Sequence, residues 1–147
     1  MKTKEIQEKL VENMKQWQKV ENQSIASTGK IMAETNNRVI RNVMEIIQRD
    51  SANHYRIQEL IISSLTEKSL DLSAEELVET WDLIENHIKI EKMAIGQAKE
   101  ALESLKGKKM VIQEYLLNYL LMDEEKHDAM LDTLNKIKGG MYPYGGH

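Results

Sequence analysis

An all-α bundle of four helices is the fold class this sequence predicts, on three observations. The chain has 147 residues with a single proline, at position 143, so no ring forbids helix anywhere upstream. Its long segments place apolar residues three and four positions apart, the spacing of a buried helical stripe. Three clusters of turn-forming residues cut the chain into pieces of similar length, near 3–34, 37–65, 74–105 and 109–138.

The first helix carries Ile6, Leu10, Trp17, Val20 and Ile31 around a small polar stretch, Ser24 to Gly29. Its glycine costs about 1 kcal/mol against alanine, and such a stretch marks either a kink or a close approach of another helix. Thr35-Asn36-Asn37 ends it, because asparagine side chains hydrogen-bond nearby backbone and favour turns and caps. The second helix reads Ile40, Val43, Ile47, Ile57, Ile61, Leu65. After the break at Ser69 to Ser73, Ser73-Ala74-Glu75-Glu76 forms a capping box that opens the third helix, with Leu77, Trp81, Ile84, Ile88, Ile95 and Ala98 on one stripe. Lys106-Gly107-Lys108-Lys109 supplies a left-handed cap and basic charge at a helix C-terminus. The fourth helix carries Leu117, Leu120/Leu121, Leu131 and Leu134 and stops at Gly139-Gly140. Residues 1–138 are thus expected to form one bundle of helices about 45 Å long, and 139–147 a short Gly-rich tail.

Composition removes several function classes. With 24 Asp+Glu against 20 Lys+Arg the net charge is −4, and no basic face is concentrated enough for nucleic acid. No cysteine is present, which excludes disulfides, thiolate zinc, iron–sulfur clusters and cysteine nucleophiles, and leaves imidazole and carboxylate as metal ligands. The first twenty residues carry a charge every few positions, unlike a signal peptide, and no apolar run approaches the roughly 20 residues of a membrane span. A cytoplasmic protein without membrane or nucleic-acid partners is expected. The two tryptophans, Trp17 and Trp81, and a Tyr-containing tail suggest self-association as a homodimer.

Polar residues interrupt every stripe. Stepping along the fourth helix from Leu120/Leu121 reaches Glu124 and His127 before Leu131; the third passes through His87 and Glu91 before Ile95. The second reaches Asp50/Ser51 and His54 before Ile57, and in the first Glu21 stands four residues from both Trp17 and Ile25. Helices joined at a tight turn bring together residues equally distant from it. The midpoint of Glu91 and Glu124 falls at the Gly107 turn, and that of Glu21 and His54 beside Asn36-Asn37, so each pair should face the other. Buried carboxylates persist when they are paired or hold a cation, and oxygen with imidazole nitrogen suits iron, manganese or zinc. The alternatives for these residues are a solvated ion pair for Glu124 and His127, a core histidine held by a carboxylate for His54 with Asp50, and a rim position for His87.

The run Asp123-Glu124-Glu125-Lys126-His127-Asp128-Ala129-Met130-Leu131 resembles the last-helix motif of the ferritin-like superfamily, especially the helical erythrin domain of rubrerythrins. That resemblance implies a ferritin-like four-helix bundle and a di-iron carboxylate site built from one Glu on each of two helices and a Glu-x-x-His on each of the others. Carried over by residue, it implies Glu124 and His127 on the fourth helix, Glu91 on the third and Glu21 on the first. On the second helix Asp50-Ser51-Ala52-Asn53-His54 aligns with Asp123 to His127 as an internal repeat; Ser51 stands where the bridging Glu belongs, with Asp50 available one residue earlier. His87 is an additional donor that the family pattern does not call for. The metal set is therefore Glu21, Asp50, His54, His87, Glu91, Glu124 and His127, with two iron ions implied and manganese or zinc, or a single ion, as alternatives. The implied chemistry is oxidoreduction, as a rubrerythrin-like peroxidase or a ferroxidase. The competing readings are a helical dimer whose metal is absent or structural, and a protein that sequesters iron without turnover. Ferritin-like folds cross over between the second and third helices. The link of about eight residues spans at most roughly 28 Å, so the up-down-up-down connectivity of hemerythrin-like proteins is the alternative topology.

Overall fold

The computed structural model describes residues 2–140; the expected tail beyond Gly140 lies outside them. Four helices, α1 (Thr3–Glu34), α2 (Arg38–Thr66), α3 (Ala74–Ser104) and α4 (Val111–Lys138), account for the regular structure. Among the described residues there is no strand, so the chain belongs to the all-α, four-helix class that its sequence predicts. Among the same residues no helix is long and apolar enough to cross a membrane. The chain divides after Leu70 into two compact units, the α1–α2 hairpin and the α3–α4 hairpin.

The helix ends follow from local chemistry. Asn37 Oδ1 accepts hydrogen bonds from the Val39 and Ile40 amides at 3.0 and 3.1 Å, satisfying two otherwise unpaired donors at the start of α2. Ser73 and Glu76 form the reciprocal capping box of α3, with Ser73 Oγ accepting from the Glu76 amide at 3.1 Å and Glu76 Oε2 accepting from the Ser73 amide at 3.2 Å. Gly107 turns the chain between α3 and α4 at φ 73°, and Gly140 adopts φ 78° just beyond α4.

The α1–α2 hairpin holds an unexpected seam. Ile6, Leu10, Trp17, Val20 and Ile31 on α1, and Ile40, Ile47 and Ile57 on α2, are exposed, Trp17 by 49%. The buried row lies beside that stripe and is more polar: Met14, Gln18, Glu21 and Thr28 meet Ser51, Gln58 and Ile62. Small and hydrogen-bonding side chains explain the choice. Ser24 Oγ and Ser51 Oγ lie 2.8 Å apart, and Gln18 Nε2 donates to Glu59 Oε2 at 2.9 Å and to the Tyr55 carbonyl at 3.3 Å. Gln48 Nε2 donates to the Ile25 carbonyl at 3.2 Å and would lie 3.3 Å from a Cβ placed on Gly29. The Ser24–Gly29 stretch is thus a place of close approach inside one continuous helix. In the α3–α4 hairpin the expected α3 stripe does face inward, with Leu77 and Ala98 buried and Trp81, Ile84, Ile88 and Ile95 half-buried. Lys138 Nζ stands 4.3 Å from the centre of the Trp81 ring and closes that hairpin's far end.

Candidate metal centre

The α3–α4 hairpin brings one carboxylate of α3 against a carboxylate and an imidazole of α4. Glu91 lies on the buried α3 row, 6% exposed, seven residues before Ala98 and therefore on the same face. Glu124 and His127, three residues apart on α4, project from adjacent turns toward it. Ligand atoms of Glu91, Glu124 and His127 all lie within 4.8 Å of one another, and these three residues can hold a metal ion. Among the described residues they form the one such group of three.

The imidazoles are aimed at the carboxylates. His127 Nδ1 is 3.4 Å from Glu91 Oε1 and 4.0 Å from Glu124 Oε2. Its other nitrogen, Nε2, is 3.5 Å from Asp123 Oδ2, one turn back on α4. That leaves Nδ1 for the cluster and gives the ring an outer carboxylate that fixes its orientation, as second partners do for metal-bound histidines. Asp123 was not among the expected site residues; its four-residue spacing from His127, repeated as Asp50 to His54, was the available signal. His87 Nε2 lies 2.9 Å from Glu91 Oε1, one turn earlier on α3. His87 therefore contacts the cluster through Glu91 and stands outside the convergent group.

Two glutamates in this setting cannot both ionise freely. A hydrogen bond from Glu124 is the largest influence holding the Glu91 carboxyl below its ordinary value, with smaller contributions in the same direction from His87 and His127, against the opposing effect of burial. Glu124 is pushed above its ordinary value, first by that same hydrogen bond to Glu91 and then by burial and the Glu91 charge. The two carboxyls are thus pushed apart, Glu91 toward its charged form and Glu124 toward its neutral form. Among the described residues Glu91 Oε2 is buried without a hydrogen-bond partner. An unsatisfied carboxylate oxygen beside a second carboxylate and an imidazole is a donor set for a cation, and it fits iron, manganese or zinc.

The α1–α2 hairpin places Glu21 and His54 together, as the turn arithmetic predicts. His54 Nδ1 is 3.4 Å from Glu21 Oε2, yet that oxygen, too, is buried with no hydrogen bond in good geometry. Asp50 is exposed and does not complete a group of three with them. Ser51, at the position matching Glu124, is buried and paired with Ser24.

No protein-family model, curated protein or solved structure matches this chain significantly.

Proposed function

We propose that the chain is a ferritin-like metal-binding protein whose α3–α4 hairpin holds an iron ion through Glu91, Glu124 and His127, with manganese or zinc as alternative occupants. The observation that carries this reading is Glu91: a carboxylate 6% exposed, with one oxygen lacking any partner, within ligand distance of a second carboxylate and an imidazole. Retaining such a group in a helix seam disfavours folding unless a cation meets it.

When bound, the ion supplies redox and Lewis-acid chemistry suited to ferrous oxidation or peroxide reduction. The chain's own residues do the rest. Glu91 and Glu124 would provide the negative charge, and Asp123 stands against His127 Nε2, leaving Nδ1 toward the cluster. Within the α3–α4 hairpin the side chains of His127 and Glu124 are 39% and 27% exposed. Three protein ligands leave coordination positions for solvent or substrate, as reactive sites do, whereas structural sites are closed by four. The same reading takes the protein as cytoplasmic and homodimeric, with metal ions and not nucleic acid or membrane as partners.

Elemental analysis of protein purified without chelator tests this. Iron, manganese or zinc in near-stoichiometric amount is expected, lost in the Glu124→Ala/His127→Ala variant; only trace metal after both aerobic and anaerobic preparation would refute the reading. Stopped-flow absorbance after mixing with ferrous iron and oxygen then separates an oxidase from an iron store.

A further inference from the structure

The two hairpins repeat one arrangement with a chemical difference. Glu21 corresponds to Glu91, His54 to His127, Ser51 to Glu124, and Trp17 to His87. In each hairpin the first-helix glutamate is 6% exposed, has a buried Oε2 without a hydrogen bond, and lies 3.4 Å from the imidazole of the second helix. They differ in the third donor. At Glu124 the α3–α4 hairpin supplies a carboxylate; at Ser51 the α1–α2 hairpin supplies a hydroxyl 2.8 Å from Ser24 Oγ.

We infer that the chain binds one metal ion, at the α3–α4 hairpin alone, and that the α1–α2 hairpin is a metal site lacking a single ligand, which Ser51→Glu would complete. The inference rests on the metal-binding reading above and departs from the two-ion centre that the ferritin-like resemblance implies.

Donor count decides occupancy. Zinc and iron sites built from protein side chains use at least three ligands, with solvent filling what remains. Within their own hairpin Glu91, Glu124 and His127 meet that count; within theirs, among the described residues, Glu21 and His54 stop at two. Ser51 cannot serve as the third as it stands. A neutral hydroxyl is a weak ligand for these metals, and this one is buried and already shares a hydrogen bond with Ser24. Asp50 is exposed and projects about 100° around the helix from Ser51, so it does not substitute. What the α1–α2 hairpin keeps is the rest of the site: a buried carboxylate with an unused oxygen and an imidazole beside it. Among the described residues no carboxylate stands against His54 Nε2 as Asp123 does against His127 Nε2, which further weakens this half as a ligand set.

The test is isothermal titration of the full chain with Zn(II), with anaerobic Fe(II) equilibrium dialysis as a second probe. One equivalent is expected for the wild type, none for Glu124→Ala/His127→Ala, and one for Glu21→Gln/His54→Ala. Ser51→Glu is expected to bind two. Circular dichroism of each variant establishes that it is folded. Because a glutamate at a buried position can unfold the hairpin, Ser24→Gly/Ser51→Glu, which opens room beside it, is measured alongside. Two equivalents in the wild type, or loss of the ion in Glu21→Gln/His54→Ala, would overturn this inference while leaving metal binding intact. No binding in the wild type with either metal would remove both. A folded Ser51→Glu chain that still takes only one ion would overturn the claim that a single ligand is missing.

Discussion

Glu91 and Glu124 face each other across the α3–α4 hairpin with ligand oxygens within 4.8 Å, and the two carboxyls shift in opposite directions, Glu91 down and Glu124 up. The sign of each shift sets a pH dependence. Glu124 sits above its ordinary value of 4.5, so its neutral form contributes stability fully below that value, and the contribution is lost as pH rises through its folded pKa. Glu91 sits below 4.5, so its charged form contributes above that value and is lost as pH falls through its folded pKa. The metal-free protein should therefore gain most from this pair near the ordinary glutamate value and less on either side. Thermal melts of chelator-treated protein across the acid range, compared with Glu124→Gln, check this. The variant should lose the decline on the high-pH side, and an unchanged profile would contradict the raised Glu124 value.

Metal binding should carry the opposite sign. A cation needs Glu124 ionised, so affinity should rise with pH up to the raised Glu124 value, with close to one proton released per ion at pH values below it. Titrating in buffers of different ionisation enthalpy counts that proton. In Glu124→Gln the release should vanish and affinity should fall by at least about 10- to 100-fold, while the metal-free fold keeps a side chain of nearly the same size and shape at that position.

Turn chemistry, apolar spacing of three and four residues, and equal distance from a turn were enough to place the four helices, the Ser73 capping box and the meeting of Glu21 with His54 and of Glu91 with Glu124 and His127. They did not reveal which of two adjacent rows on α1 faces α2. Ile6-Leu10-Trp17-Val20 and Val11-Met14-Gln18-Glu21 both recur at three and four residues, and the more apolar row attracts the assignment. The hairpin buries the other, because Ser24, Thr28 and Ser51 are small and the polar groups of Gln18 and Gln48 reach partners on the facing helix. Periodicity records that a face is apolar; which helix covers it depends on side-chain size and hydrogen-bond geometry. Asp123 escaped notice for a related reason, since a carboxylate in a charged run looks solvated until the ring it holds is placed.

Glu21 should be a stability cost. It is buried, one oxygen has no hydrogen bond, and His54 beside it is half exposed. An apolar side chain there removes the desolvation cost of the carboxylate, and the His54 ring left behind is half exposed and can be solvated. Glu21→Leu is expected to raise the melting temperature of the metal-free protein in chemical or thermal denaturation. A loss of stability would instead assign the Glu21–His54 contact a net favourable role.

Two glycines should respond to alanine with opposite signs, and neither has a neighbour that a Cβ would strike. Gly107 has φ 73° and nothing within 4 Å of an added Cβ, so the effect of Gly107→Ala is purely conformational. The left-handed region costs an L-residue roughly 1–2 kcal/mol, and that is the expected loss. Gly96 lies exposed within α3, also with open space around it, and has ordinary helical geometry. There Gly96→Ala should stabilise by about 1 kcal/mol, because alanine has less backbone freedom to lose on entering the helix. Urea unfolding of both variants, at constant m-value, measures the two changes. A stabilising Gly107→Ala would mean that the α3–α4 turn relaxes out of its left-handed conformation, and the register that brings Glu91 opposite Glu124 would then have to be set by the packing of the helices instead of the turn.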